Sequence, residues 1–358
     1  MNKDNSFLVL FLAPVKSYLE DDKVSEILIN GPNQIYIERG GKLELIPETF
    51  ASESQLKAAA VNIAKSVERQ LDEMHPDLDA RLPDGSRVHA TIPPVSRCGT
   101  IISIRKFKKE MLTLEKLASF NSIPREGVLL LNAIVKLHKN TIVSGGTSSG
   151  KTSVLNAVSG LIPDKERILV LEDASELQLQ QQHCVYFETR KPDKNGMGEF
   201  SIRDLVIASL RLRPDRLVIG EIRGGEALDL LQAMNTGHSG SMSTIHANSP
   251  VDALSRMETC SVMSGIELPL QAIRMQVASA INCVVHTMRL ADGSRKIVEI
   301  AEVLPLGERG EYRTQTLLKW QTDSIDENGK ISGKFVLGAR PSFAENARIM
   351  HIELPEYK

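Results

Sequence analysis

Over the first hundred residues, apolar and polar positions alternate in short runs, the period of strands buried on one face. Ile27 and Ile29, then Ile35 and Ile37, alternate with polar neighbours, and Gly40-Gly41 between Ile35–Arg39 and Leu43–Ile46 predicts a hairpin turn. A helix should follow, because Ser52 with Gln55 is a capping-box pattern and Leu56, Ala60, Ile63, Val67 and Leu71 recur at helical spacing. The next hairpin carries Leu78, Ala80 and Leu82 in one apolar row and Val88, Ala90 and Ile92 in another, around Asp84-Gly85. A two-residue turn would pair Leu82 with Arg87 and mix the faces. A three-residue loop, Asp84-Gly85-Ser86, pairs Leu82 with Val88, Ala80 with Ala90 and Leu78 with Ile92. That register puts Arg81 and His89 on the polar face with Arg87 just beyond them. A further strand, Thr100 to Phe107, carries Ile102 and Ile104 on one side and Arg105 on the other.

The pattern then changes. Lys106, Lys108, Lys109 and Glu110 form a short charged stretch, after which helices and strands alternate, so a domain boundary is expected near residues 108–112. The resulting division is an N-terminal α+β domain over 1–108, a linker over 109–112 and an α/β domain over 113–358. Ser122 and Pro124 open a helix with proline inside its first turn, and Val128–Leu137 is apolar enough to be mostly buried. No internal repeat or low-complexity tract interrupts the chain.

Length and composition agree with two domains and narrow the function. At about 150 residues per domain, 358 residues make roughly two. With 42% hydrophobic and 25% charged residues the chain reads as a soluble globular protein. Its net charge of -2 gives no basic excess to hold a polyanion, and 4% aromatics with Trp320 alone of its kind leave little for base stacking. Nucleic acid is therefore not expected as a partner. Cys98, Cys184, Cys260 and Cys283 are scattered with no Cys-x-x-Cys pair, which reads as reduced, mostly buried thiols. The apolar run Phe7–Ala13 is far short of the ~20 residues of a spanning helix, and Asp4 precedes it where a signal peptide wants positive charge. Packing against its own sheet is the expectation for this run, docking to a partner the alternative, and a cytoplasmic location follows.

The candidate chemistry lies in the second domain. The short β-rich run Thr141–Ser144 leads into Gly145-Gly146-Thr147-Ser148-Ser149-Gly150-Lys151-Thr152, and a helical stretch beginning with Ser153 runs on towards Pro163. This is G-x-x-x-x-G-K-T between a strand and a helix, the context of a phosphate-binding loop. Gly145, Gly146 and Gly150 let backbone N–H groups approach phosphate oxygens at a helix N-terminus. Lys151 supplies a point charge, and the Thr152 hydroxyl can ligate Mg2+. A second strand, Ile168–Leu171, ends in Glu172-Asp173 with Glu176 beyond; a third, Leu217–Gly220, ends in Glu221 followed by Arg223; a fourth, Ser241–Ile245, ends at His246. In a parallel sheet ligands bind at the C-terminal strand ends, so these groups should gather near the loop. One acid would be expected to serve the Mg2+ shell and the other to orient or deprotonate the attacking water, while a neutral His246 would hydrogen-bond a γ-phosphate.

The segments GGTSSGKT, LVLEDASELQLQ and SLRLRPDRLVIGEIRGGEALDLLQAMNTGHSGSMSTIHANSP resemble the Walker A, Asp box, Walker B and His box of the secretion ATPase superfamily of type II and type IV secretion and type IV pili. Within it the chain looks most like the CpaF/TadA branch, the motor of tight-adherence pili. The likeness extends through DARLPDGSRVHATIPP, ISIRKF, ARPSF and IELP, nearly the whole chain. It implies an N-terminal α+β domain followed by a RecA-like P-loop NTPase domain, ATP with Mg2+, a homohexamer, and an inner-membrane platform that the motor grips from the cytoplasmic face without touching lipid. By the same resemblance Lys151 and Thr152 match the Walker A pair. Glu172 matches the favoured catalytic base, Glu221 the Walker B glutamate linked to Mg2+ and water, and His246 the His-box histidine. Arg81, Arg87 and Arg105 match N-terminal-domain arginines that reach the nucleotide. The type II or conjugation-type type IV secretion motor is an alternative with the same chemistry; a nucleotide-dependent switch or a nucleic-acid translocase is an alternative of another class. Three features depart from the family pattern: the strand domain begins within about the first thirty residues where a long N-terminal extension is common, Ser148 stands where glycine is common, and Arg97 and Cys98 occupy a loop where smaller or apolar residues are expected.

Overall fold

The computed structural model describes residues 11–107, 112–192 and 196–357. The chain forms two compact units, 1–110 and 111–358; of the linker expected over 109–112, only Leu112 lies among the described residues.

In the first unit, β1 (Val24–Asn30), β2 (Ile35–Arg39), β3 (Lys42–Ile46), β4 (Asp77–Arg81), β5 (Arg87–Thr91) and β6 (Ile101–Arg105) make an antiparallel sheet of order β3-β2-β1-β6-β5-β4. One face is covered by the helix Glu53–Ser66, whose Leu56, Ala60 and Ile63 pack with Ile27, Ile29, Val88, Ala90, Ile102 and Ile104. Leu12 is fully buried in the same cluster, while Phe7–Leu10 of the apolar run lie outside the described residues. The Gly40-Gly41 turn has both glycines at positive φ and pairs Arg39 with Lys42, the geometry of a two-residue hairpin. Ser52 caps the helix by accepting from Gln55 N, and the Gln55 side chain reaches back to Ala51 N instead of the cap residue. The helix stops earlier than its apolar spacing suggests: Glu68 turns to φ +56, and Leu71 is buried from beyond the helix end.

The second hairpin corrects the expected register. Its loop is Pro83-Asp84-Gly85, with Leu82 N donating to Ser86 O, so Ala80 faces Val88, Leu78 faces Ala90 and Arg81 faces Arg87. The partner of each residue moves by two positions, which keeps every side chain on its face. What selects this register is Gly85, at φ +90 with its Cα so close to Phe107 that an added Cβ would lie 2.9 Å from the ring. Ser86 then becomes a buried residue immediately before β5, and its Oγ accepts from Phe107 N.

In the second unit, β7 (Thr141–Gly145), β8 (Ile168–Glu172), β9 (Cys184–Glu188), β10 (Arg216–Ile222), β11 (Met242–His246) and β12 (Cys283–Arg289) are parallel in the order β12-β7-β11-β10-β8-β9. β13 (Arg295–Leu304), β14 (Arg313–Ile325) and β15 (Ile331–Leu337) extend the sheet beyond β12 as antiparallel strands. Both faces of the parallel part are buried: Ile168, Val170 and Val218 point into one helix-covered core, Leu169, Leu171, Leu217 and Ile219 into the other. The helix expected from Ser122 begins at Arg125 with Pro124 as its N-cap, not inside the first turn. Trp320 is spent in packing, edge-on to Phe335 and beneath the Lys296 ammonium at 4.4 Å. Cys260 and Cys283 are buried and Cys184 half-buried, but Cys98 is exposed. Among the described residues no helix is long and apolar enough to cross a membrane.

At the N-terminal edge of the parallel strands lies a charge with no access to water. Arg216, the first residue of β10, is fully buried; its Nε donates to Glu166 Oε2 at 2.6 Å, one terminal nitrogen to Gly240 O and the other to Val135 O. Beside it the Asn140 carboxamide accepts from Gly240 N and Ser241 N and donates to Ala280 O. Removing one partner of a buried ion pair strands the other charge, at about 3–5 kcal/mol. Arg216→Ala is expected to lose roughly that much in the urea unfolding transition of the second domain. Pairing Arg216→Met with Glu166→Leu should restore only part of it, because the carbonyls of Val135 and Gly240 stay without their donor.

Candidate functional site

β7 delivers the chain into the glycine-rich loop, and the loop's shape follows from contacts that exclude side chains. A Cβ on Gly145 would lie 2.4 Å from Thr287 O and 2.5 Å from Ser149 Oγ. Gly150 holds φ +94 as the N-cap of the helix Lys151–Ser159, a conformation that glycine supplies without strain. Ser148 also sits in the left-handed region, at φ +58, which is the physical reason glycine suits that position. Lys151 is buried; its Nζ donates to Gly146 O at 3.0 Å and lies 3.4 Å from both ring nitrogens of His246. Gly146, Thr147 and Ser148 are exposed on the loop's rim, Ser149 is buried, and Thr152 and Ser153 are half-buried in the first helical turn.

The three strand-end groups have different surroundings. Glu172, the last residue of β8, is 3% exposed. Burial pushes its carboxyl up to about 7, against the backbone N–H groups of Glu176 and Leu177, which both donate to Oε1 and favour the anion. Gly220 makes room for it: a Cβ there would stand 3.1 Å from Glu172 Cγ. Glu221 lies within β10, one residue inside the strand end, at a register irregularity against β11. Its Oε2 accepts from Arg223 Nε at 2.8 Å, and Arg223 also approaches Asp173 at 3.6 Å. His246, the last residue of β11, brings Nε2 to 2.8 Å from Glu221 Oε1. Burial, then the neighbouring Lys151, lowers its pKa and keeps the ring neutral near pH 7. Lys151, His246, Glu221 and Arg223 thus form one chain of polar contacts across the C-terminal ends of β7, β11 and β10.

Glu221 Oε1 is buried beside the His246 ring nitrogen at 2.8 Å, and a carboxylate held at this strand end suits a cation or its bound water. Among the described residues no group of three or more His, Cys, Asp and Glu side chains is placed to hold a metal. A single carboxylate beside a phosphate-binding loop is the donor set suited to Mg2+, which keeps most of its shell as water and phosphate.

Within the first unit, Arg81, Arg87 and Arg105 come together in one row. Arg81 pairs directly with Arg87 across β4 and β5, and Arg87 with Arg105 across β5 and β6. Arg81 Nε donates to Gly85 O and its guanidinium stacks over Phe107 at 5.5 Å, which orients it along the face. Arg87 and Arg105 line a cavity of about 320 Å³ with Glu26, Asp79, His89 and Ser103. Arg97 and Cys98 are exposed in the loop before β6, and that loop is anchored at its end by Glu53, whose Oε1 accepts from both Thr100 N and Thr100 Oγ1 at 2.7 Å.

Residues of β12 and β13 were not legible as part of the site. His286 Nδ1 bonds Ser144 Oγ at 2.9 Å, Thr287 Oγ1 bonds Ser149 Oγ at 2.9 Å, and Arg295 Nε donates to Ser148 O at 2.9 Å. The one sequence signal is the polar pair His286-Thr287 closing the apolar run Cys283–Val285.

A family model described as "Type II/IV secretion system protein" matches residues 11–326. A putative conjugal transfer protein of Mycobacterium tuberculosis (strain ATCC 25618 / H37Rv) is 35% identical over 311 residues, 85% of this chain and 87% of that protein. The type IV secretion system protein VirB11 of Bartonella henselae is 30% identical over 325 residues, 81% of this chain and 91% of its own. The type IV secretion system protein PtlH of Bordetella pertussis is 33% identical over 315 residues, 81% and 93% of the two chains. In fold, the chain is similar to the X-ray structure of the Legionella pneumophila ATPase DotB, with TM-score 0.59 and 18% identity over 80% of this chain and 79% of that one. It is likewise similar to the pilus retraction motor PilT with bound ADP, with TM-score 0.55 and 17% identity over 96% and 86%. The parallel sheet with helices on both faces is the RecA-like fold of these structures, and the chain belongs to the type II/IV secretion system protein family.

Proposed function

We propose that this protein is an ATPase that hydrolyses ATP to drive the assembly of a pilus, acting as a homohexamer at the cytoplasmic face of an inner-membrane platform. The observation that carries the ATPase reading is the gathering of four groups at the C-terminal strand ends: the Lys151 ammonium in its glycine cradle, neutral His246 against it, the Glu221 carboxylate 2.8 Å from His246, and Glu172 buried with a pKa near 7. Lys151 and the N–H groups of Gly146 to Ser153 bind and orient the phosphates. Thr152 and Glu221 would hold Mg2+, partly through water; when bound, the ion neutralises charge building on the phosphate oxygens. Glu172 takes the proton of the attacking water on the carboxylate oxygen left open by its two backbone donors. His246, kept neutral, can accept or donate at the γ-phosphate and pass its state to Glu221 through the 2.8 Å contact. To Arg81, Arg87 and Arg105 we assign the phosphate-directed role implied by the resemblance; their alignment in one row on one sheet face supports it.

The pilus branch rests on the motif flanks, and a second reading competes with it. The relatives described as conjugal transfer and type IV secretion proteins favour a conjugation-type secretion motor. Neighbouring genes separate the two, prepilin and prepilin peptidase supporting the first and conjugation components the second. Stimulation of turnover by DNA would instead mark a translocase, and nucleotide binding without turnover a switch.

Lys151→Ala is expected to cut ATP turnover by at least about 10²-fold and to abolish piliation; undiminished turnover would sink the ATPase reading. Glu172→Gln keeps an oxygen that can accept from Glu176 N and Leu177 N, so ATP affinity should stay within about twofold while hydrolysis falls by about 10² to 10⁴. The pH profile gives an independent readout. A base with a pKa near 7 is protonated and idle below it, so turnover should rise with pH through about 7 and then level. In Glu172→Gln that acidic limb should vanish from the residual rate.

A further inference from the structure

We propose that Arg295 is a positioning residue that holds the phosphate loop in its binding shape, acting through the carbonyl of Ser148. The inference rests on the reading of this loop as the nucleotide site and adds a residue to it from the far side of the sheet. Ser148 adopts φ +58, a conformation that L side chains avoid, and Gly150 two residues on adopts φ +94. These two left-handed positions set the direction of the peptide planes between them, and hence where the N–H groups of Ser149, Gly150 and Lys151 point. Glycine would hold the first position without strain; with serine there, a contact from outside the loop offsets the strain.

Arg295 is placed to do so. Its Nε donates to Ser148 O at 2.9 Å, and its Cδ is the nearest outside atom to a Cβ built on Gly150, at 3.4 Å. The side chain thus lies along the outer edge of the loop, touching both left-handed positions. The arm that carries it is itself fixed. Arg295 opens β13 directly after the turn Ala291–Ser294, closed by Leu290 N donating to Ser294 O. Asp292 Oδ1 accepts from Ser294 N, and its Oδ2 accepts from Ile331 N of β15, so the turn is tied to the neighbouring hairpin. From the same segment, Thr287 fastens Ser149 and His286 fastens Ser144. The β12–β13 hairpin therefore holds β7 at Ser144 and the loop at Ser148 and Ser149; of these three contacts Arg295's is the one that acts on the strained residue, and with a charged donor, the stronger kind of hydrogen bond.

The test is a double-mutant cycle on the full chain, read by the Kd of ATP and by hydrogen exchange of the nucleotide-free protein. Arg295→Ala should weaken ATP binding by about tenfold, with the loss appearing in KM rather than kcat. In the Ser148→Gly background the same change should cost less than about twofold, because glycine holds the left-handed conformation unaided. Without nucleotide, Arg295→Ala should speed amide exchange across residues 145–152 by several-fold and leave β14 and β15 unchanged. An equal loss of affinity in both backgrounds, or unaltered exchange in the loop, overturns the proposal. Faster loop exchange in a chain that binds no ATP would sustain the clamp and overturn the nucleotide reading instead.

Discussion

The second domain depends on one ion that has been taken out of water. A guanidinium as deeply buried as Arg216 is tolerable only when its donors are satisfied, and the groups that satisfy it come from the end of the helix Arg125–Lys136, the segment before β8 and the entry to β11. The charge therefore does more than balance Glu166. It fixes where these segments start relative to one another, and because a strand advances about 3.3 Å per residue, fixing the starts fixes the height at which each strand ends. Glu172, Glu221 and His246 meet the phosphate loop at the opposite edge for that reason. Gly240, at φ +79, is part of the same arrangement, since any side chain there would collide with the Arg216 guanidinium.

Two glutamates at the ends of neighbouring strands show how position separates identical chemistry. Glu172 is enclosed and titrates near neutrality, ready to exchange a proton at working pH. Glu221 is paired on one oxygen with Arg223 and holds the other, buried, against His246 Nε2. From composition the two are interchangeable; from surroundings one suits proton transfer and the other a cation. The division of labour left open by the motifs is thus supported by desolvation on one side and, on the other, by a carboxylate held between Arg223 and His246.

Much of this architecture was legible in the sequence because it rests on local rules. Alternating apolar positions, the Gly40-Gly41 turn, the Ser52 cap and the G-x-x-x-x-G-K-T loop each act within a few residues, and they located the strands, the helix and the phosphate-binding segment. The hairpin register was missed because it is set by Phe107, twenty-two residues after Gly85 in the chain and in contact with it only once β6 is in place. Helix ends shifted where a left-handed residue such as Glu68, which no periodicity announces, closed the helix. His286, Thr287 and Arg295 escaped for the same reason: they meet the loop across a strand pairing between segments about 140 residues apart, and nothing in the loop's own sequence calls for them.

The arginine row of the first domain continues beyond Arg105. Across β6 and β1 that arginine faces Glu26, and across β1 and β2 Glu26 faces Glu38, so one row of the sheet carries three cations followed by two anions, drawn from five strands in an order unrelated to the chain. β-sheets have almost no dipole of their own, since strand dipoles cancel; here the side chains impose one across the strands. In the field of a charged body such a lateral dipole feels a torque, which turns the domain before contact is made. Its rate of capturing a partner would then depend on ionic strength even though the protein as a whole is nearly neutral.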